Sequence, residues 1–272
     1  MKGPLFYSKI LLFGEYGIIQ DSKGLSIPYN FYNGALKKED HPSQDAIASN
    51  GHLKRFVTYL ESLQTEQPDL VQFDIATLQK DVNEGMYFDS SIPQGYGVGS
   101  SGALVAAIYD KYAQHKITVL ENLTREKLLE LKTIFSQMES FFHGKSSGLD
   151  PLNSYLSIPI LINSKDNIEA TGIPTQSFDG KGAVFLLDSG IVGETAPMVN
   201  IFMENLKDQG FRTMLKSQFV KHTDACVENF LVGDIKALFS NTKKLSKVVL
   251  NHFKPMIPEQ FHGVWQQGID TN

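Results

Sequence analysis

Ser91-Ile92-Pro93-Gln94-Gly95-Tyr96-Gly97-Val98-Gly99-Ser100-Ser101-Gly102-Ala103-Leu104 is the stretch that says most about this chain. Glycines stand at 95, 97, 99 and 102, two hydroxyls lie among them, and an apolar run from Ala103 to Ile108 follows at once. The pattern predicts a glycine-rich loop that opens a helix. Glycine lets the backbone approach a ligand closely, and the first helical N–H groups have no partner inside the helix. Together with the helix dipole those groups form an anion site, for which phosphate is the usual occupant. Taken alone, the same residues would also suit a flexible loop, so the rest of the chain has to decide.

At 272 residues the chain can bury a substantial core, as one large domain or two smaller ones. Its 42% hydrophobic and 20% charged content is that of an ordinary globular protein. A formal net charge of −5 argues against a nucleic-acid surface, which needs a basic face. It leaves an anionic small molecule open, because local cations decide that. The single cysteine, Cys226, excludes an intrachain disulfide and makes the cytoplasm the default location. No apolar run approaches the roughly 20 residues of a membrane helix. Ile10-Leu11-Leu12-Phe13 is too short for the core of a signal peptide.

Along the chain, Lys9–Phe13 reads as a buried strand, and Ile18-Ile19 and Leu25–Tyr29 as further strand pieces. His41–Gln64 reads as a loop and then a helix. Tyr87–Ile92 is a strand stopped by Pro93. A helix runs from the glycine loop to about Lys116, and another, capped by Thr124, to about Phe142. Ser146–Tyr155 reads as a polar connection. Ala183–Asp188 is expected to be a strand that starts a second domain, and helices dominate from Ala196 onward. The fold expected is α+β, with domains over 1–178 and 179–272.

Two further stretches carry chemistry. In Met138–Tyr155, Glu139 lies near the end of an amphipathic helix and Asp150 lies past a Gly-Lys-Ser turn. Two such carboxylates can converge on one cleft. With a serine of the glycine loop they offer hard oxygen ligands for Mg²⁺ and one spare carboxylate for proton transfer. Each taken singly is as well explained as a surface carboxylate. Lys9 opens an apolar strand; a cation there neutralises phosphate or keeps a carboxylate ionised. The plainer alternative is a strand-edge lysine.

These stretches together resemble the GHMP kinase family, and within it the mevalonate kinases. The family's first motif, a lysine, an apolar strand and then Gly-Glu-His, is similar to Lys9-Ile10-Leu11-Leu12-Phe13-Gly14-Glu15-Tyr16. The second is matched by Pro93 to Ala103. The Glu139…His143-Gly144…Ser147-Gly148-Leu149-Asp150 run resembles a further mevalonate kinase segment, and Leu186–Gly190 with Thr195 resembles the start of the family's second domain. The resemblance implies a two-domain fold: an N-terminal mixed α/β domain and a ferredoxin-like α+β C-terminal domain. It implies an ATP-dependent kinase acting on a small anionic hydroxy acid, mevalonate first, in isoprenoid precursor synthesis.

The roles it implies are these. Pro93, Gly95, Gly97, Gly99, Ser100, Ser101 and Gly102 cradle the ATP phosphates. Ser101 and Glu139 hold Mg²⁺. Asp150 takes the proton of the substrate hydroxyl, and Lys9 orients and ionises it. Glu15, Tyr16 and Thr195 face the substrate, with Tyr16 standing where the family has histidine. His143 is read as structural. Partners are small molecules, with a homodimer as a family trait. The family's third motif, a late Gly-rich loop, is missing from these residues, which implies an incomplete C-terminal domain and weak or no turnover. Other GHMP kinases (phosphomevalonate, homoserine or sugar kinases) and a non-catalytic nucleotide- or metabolite-binding relative remain open at this point.

Overall fold

The computed structural model describes residues 4–118, 123–174, 185–193 and 195–271, with 195 and 196 described by their backbone alone. Strands and helices mix along the chain as an α+β fold requires. Contacts divide it into two compact units: Met1–Ile10 with Ile27–Ile158, and Leu11–Ser26 with Pro159–Asn272. Strands β1 (Phe6–Phe13) and β2 (Gly24–Lys37) each pass from one unit into the other. No helix among the described residues is long and apolar enough to cross a membrane.

In the first unit the end of β2 pairs antiparallel with β3 (Tyr87–Ser90), from Gly34 opposite Ser90 to Lys37 opposite Tyr87. The helices are α1 (Gln44–Glu66), α2 (Ile75–Asn83), α3 (Ser100–Tyr112), α4 (Arg125–His143) and α5 (Leu149–Leu156). Their starts follow local chemistry. The side chains of Ser43, Asp74 and Thr124 accept the N–H groups of Ala46, Thr77 and Lys127, satisfying donors the helices cannot. Helix α3 is buried almost all round, from Gly102 to Tyr109 and again at Tyr112, so it is the central element. Tyr109 packs edge-on against Phe135 of α4 and Tyr155 of α5, at centroid distances of 5.0 and 5.2 Å.

Helix α5 corrects the polar connection expected over 146–155. Gly148 takes a left-handed conformation (φ 73°), and Pro151 falls in the first turn, where a missing N–H costs nothing. Helix α2 has no counterpart in the sequence reading; only Leu78 and Val82 are buried along it, too few for a clear periodic signal.

In the second unit the start of β2 pairs with β4 (Ile160–Ser164), which forms a hairpin with β5 (Asn167–Ala170). Helices α6 (Thr195–Asn205), α7 (Gln209–Met214), α8 (Lys221–Val232), α9 (Ile235–His252) and α10 (His262–Asp270) follow, with a π-helical stretch, Leu215–Val220, joining α7 to α8. Their core is Phe202, Met214, Leu215, Phe219, Val248 and Phe253. Two strand expectations are corrected here. Ile18-Ile19 lies in a short 3₁₀ turn, Gly17–Gln20, closed by the left-handed Asp21. Of the strand expected at 183–188, residues 185–188 are described and form none. Phe185 and Leu187 are 80% and 62% exposed, so the apolar run finds no cover among the described residues.

Candidate active site

The first unit gathers four of the chemically distinctive features around the start of α3. The loop before α3 keeps Gly95, Gly97 and Gly99 at φ 78°, 69° and 84°, values that L side chains rarely adopt. A side chain at Gly97 would meet nothing within 4 Å, so this glycine serves conformation and leaves open space above the backbone. Gly99 is different: a Cβ there would sit 3.0 Å from Cγ of Lys9. Pro93 is half-buried and Gly95 exposed at the loop's entry, while Ser100 and Ser101 begin α3.

Lys9 is no solvated edge residue. It is 7% exposed, its N–H donates to the carbonyl of Val98 at 3.0 Å, and its Nζ lies 2.9 Å from Oδ1 of Asp150. The strand therefore lies along the glycine loop with its ammonium on the carboxylate. Asp150 is set by the packing of α5 on α3. A Cβ at Gly102 would come within 2.7 Å of the Asp150 carbonyl carbon and 2.8 Å of Pro151 N, so only glycine admits this approach.

Glu139, on the last turn but one of α4, is 3% exposed. Its Oε1 accepts the Ser101 hydroxyl at 2.9 Å, and its Oε2 accepts the Ser146 hydroxyl. Ser101 Oγ also lies 3.0 Å from Nε2 of His143, one helical turn beyond Glu139. Burial pushes the Glu139 carboxyl up to about 7; the Asp150 charge adds to this, and the two serine hydroxyls and Lys9 oppose it.

That shift has a consequence for stability. The folded chain holds the Glu139 proton more tightly than an unfolded chain with the ordinary value of 4.5. The stability so gained is complete below pH 4.5 and is lost as pH rises through about 7. Glu139→Gln removes this titration. The variant is expected to gain on the parent by on the order of 2 kcal/mol between pH 5 and pH 8. Urea melts across that range check it, and parallel pH profiles for the two proteins would refute it.

Among the described residues no trio of His, Cys, Asp or Glu side chains makes a metal cluster. The candidate cation donors are instead one carboxylate and one hydroxyl, Glu139 Oε1 and Ser101 Oγ, 2.9 Å apart. That separation is the length of their hydrogen bond, which an ion held by both oxygens would replace; a carboxylate and a hydroxyl are hard oxygen donors of the kind Mg²⁺ takes. So sparse a set also suits it, since Mg²⁺ usually takes one or two protein ligands and completes its shell with water and phosphate.

The remaining expected residues belong to the second unit. Tyr16 adopts φ 60° and stacks on Phe202 and Phe253, with centroids 5.6 and 6.3 Å away. Burial, with the charge of Glu15, raises its hydroxyl to about 12 and keeps it neutral. Glu15 is exposed. The side chain of Thr195 lies outside the described residues. Sequence reasoning missed Ser146 and set His143 aside as structural. His143 stands four positions after Glu139, which puts both on one helix face, and that spacing was the available signal.

Residues 63–157 match the family model described as the GHMP kinases N terminal domain. Among solved structures, the Methanococcus jannaschii mevalonate kinase is similar over 92% of this chain and 80% of its own, at 15% identity and a TM-score of 0.51. Another mevalonate kinase crystal structure is similar over 90% of this chain and 79% of its own, at 14% identity and 0.50. The Lin0012 protein from Listeria innocua is similar over 98% and 79%, at 13% identity and 0.51. At such identities the likeness is one of fold. No curated protein matches in sequence.

Proposed function

We propose that this chain, whose residues 63–157 match the GHMP kinase N-terminal domain model, transfers the γ-phosphoryl group of ATP to the hydroxyl of a small anionic hydroxy acid, mevalonate first. One observation carries the reading: a buried lysine bonded to the backbone of the glycine loop also holds a carboxylate, Asp150, at 2.9 Å. Phosphoryl transfer asks for little more than positioning and charge neutralisation, and those parts supply both.

In this reading the loop from Gly95 to Gly99 and the first turn of α3 receive the phosphates on backbone N–H groups. Ser101 and Glu139 would hold Mg²⁺ through the hydroxyl and the carboxylate that now share a hydrogen bond. When bound, that ion neutralises charge on the phosphate oxygens. Asp150 accepts the proton from the substrate hydroxyl. Lys9 holds Asp150 in place through their ion pair and offsets negative charge at the phosphoryl group. Glu15, Tyr16 and Thr195 are the proposed acceptor contacts; their positions in the chain motifs support this.

The test is ADP release over a panel of mevalonate, phosphomevalonate, homoserine and hexoses. Mevalonate is expected to give the highest kcat/KM. A higher value for another acceptor would reassign the substrate. Nucleotide binding with no release for any acceptor would favour a binding protein.

A further inference from the structure

The two oxygens of the Glu139 carboxylate have unequal surroundings. Oε1 is the one shared with Ser101. Oε2 accepts the hydroxyl of Ser146, and Ser146 is itself pinned from two other sides. Its Oγ accepts the N–H of Gly148 at 3.0 Å, and its carbonyl accepts the Ser136 hydroxyl at 2.6 Å. With its oxygen engaged by Gly148, the Ser146 proton is directed at Oε2.

We propose that Ser146 sets the cation specificity of this site: by occupying Oε2 it confines Glu139 to coordination through one oxygen, which favours a small octahedral ion such as Mg²⁺ over Ca²⁺. The inference rests on Ser101 and Glu139 being the cation ligands. Its physical basis is the difference between the two ions. Mg²⁺ takes six ligands at about 2.0–2.1 Å and uses a carboxylate through one oxygen, whereas Ca²⁺ takes about 6–8 and gains from a bidentate carboxylate. To bind bidentately at Glu139, Ca²⁺ would have to break a charge-assisted hydrogen bond and leave a half-buried hydroxyl without its acceptor. Mg²⁺ needs neither change. Ser146 thus acts through Glu139 and is a positioning residue.

The experiment uses the full chain and Mn²⁺ as probe, read by water-proton relaxation, with Mg²⁺ and Ca²⁺ added as competitors. It compares the parent with Ser146→Ala, Ser146→Thr and Glu139→Gln. Loss of an outer partner of a metal ligand changes affinity by about 10–100-fold, so the preference for Mg²⁺ over Ca²⁺ is expected to fall about tenfold in Ser146→Ala. Ser146→Thr, which keeps the hydroxyl, is expected to retain the parent's ratio. A role limited to holding the turn would change stability, or both affinities together, and leave the ratio alone; an unchanged ratio in Ser146→Ala therefore overturns the proposal. Should circular dichroism show that variant unfolded, Ser146→Cys replaces it, since a thiol is a weak donor and is expected to shift the ratio the same way. An unchanged ratio there overturns the proposal equally. Mn²⁺ binding that is the same in the parent and in Glu139→Gln would instead overturn the assignment of the ligands.

Discussion

Replacing Asp150 with asparagine is expected to lower the rate of ADP release by about three orders of magnitude, while the affinity for a non-hydrolysable ATP analogue stays within a few-fold. The comparison is made between parent and variant as full chains under the same conditions. The size of the effect is that of a general base, which contributes roughly 10²–10⁴ when it takes a proton in the transition state. Asparagine is chosen because it keeps the shape and can still accept a hydrogen bond from Lys9, whose Nζ lies 2.9 Å from Oδ1 in the parent. What it cannot do is take up the proton of the acceptor hydroxyl. The proposed phosphate cradle uses other residues, the loop of Gly95, Gly97 and Gly99 at positive φ and the start of α3, so on this reading nucleotide binding has no reason to change greatly. The substitution also removes a negative charge that helps to raise the Glu139 carboxyl, so Glu139 is expected to ionise at lower pH in the variant. Turnover within tenfold of the parent would show that Asp150 is not the base. A non-catalytic relative makes a different prediction: its biological output survives the substitution.

Much of the first unit could be read from residue types because its devices are local. A run of glycines ahead of an apolar stretch announces a loop and a helix start, and Gly95, Gly97 and Gly99 do take positive φ before α3. Thr124 before a periodic stretch announces a cap, and its hydroxyl does bond to Lys127 N. Lys9 and Asp150 could be named as chemically useful, but their contact depends on α5 packing against Gly102, and only tertiary structure shows that. Ser146 looks like one of several loop serines; its bond to Glu139 exists because the turn after α4 folds back onto that helix. The polar run Gly144–Gly148 likewise hides the start of α5, since a helix that begins on a left-handed glycine has no polar cap to advertise it. The failures in the second unit have another cause. Periodicity reports which side chains prefer burial and says nothing of a pairing partner. Phe185-Leu186-Leu187 has a strand's composition and is exposed, and Ile18-Ile19 is bent into a turn between residues of positive φ, Tyr16 and Asp21.

Gly148 brings the start of α5 close against α4, and Gly148→Ala is expected to destabilise the chain by about 2–5 kcal/mol in urea melts. Two costs add. The first is conformational: at φ 73° an L side chain costs roughly 1–2 kcal/mol. The second is steric. A Cβ there would stand 2.1 Å from the Lys132 carbonyl oxygen and 2.7 Å from Ser136 N, both backbone atoms of α4 that cannot swing aside. Overpacking of that kind adds about 1–3 kcal/mol. Gly144→Ala is the control. Gly144 has a similar φ of 70° at a ψ of −41°, a backbone no easier for an L side chain than that of Gly148, but a Cβ there meets nothing within 4 Å, so it carries a conformational cost with no steric one. If the two variants melt alike, the close approach of this turn to α4 is wrong, and so is the placement of Ser146 against Glu139 that depends on it. If Gly148→Ala is the less stable, its surviving folded fraction should also lose phosphotransfer, because moving Gly148 off α4 moves the first turn of α5 and carries Asp150 away from Lys9. The same displacement would withdraw the Gly148 N–H from Ser146, so Gly148→Ala should weaken Mn²⁺ binding as well, an effect Gly144→Ala should not share.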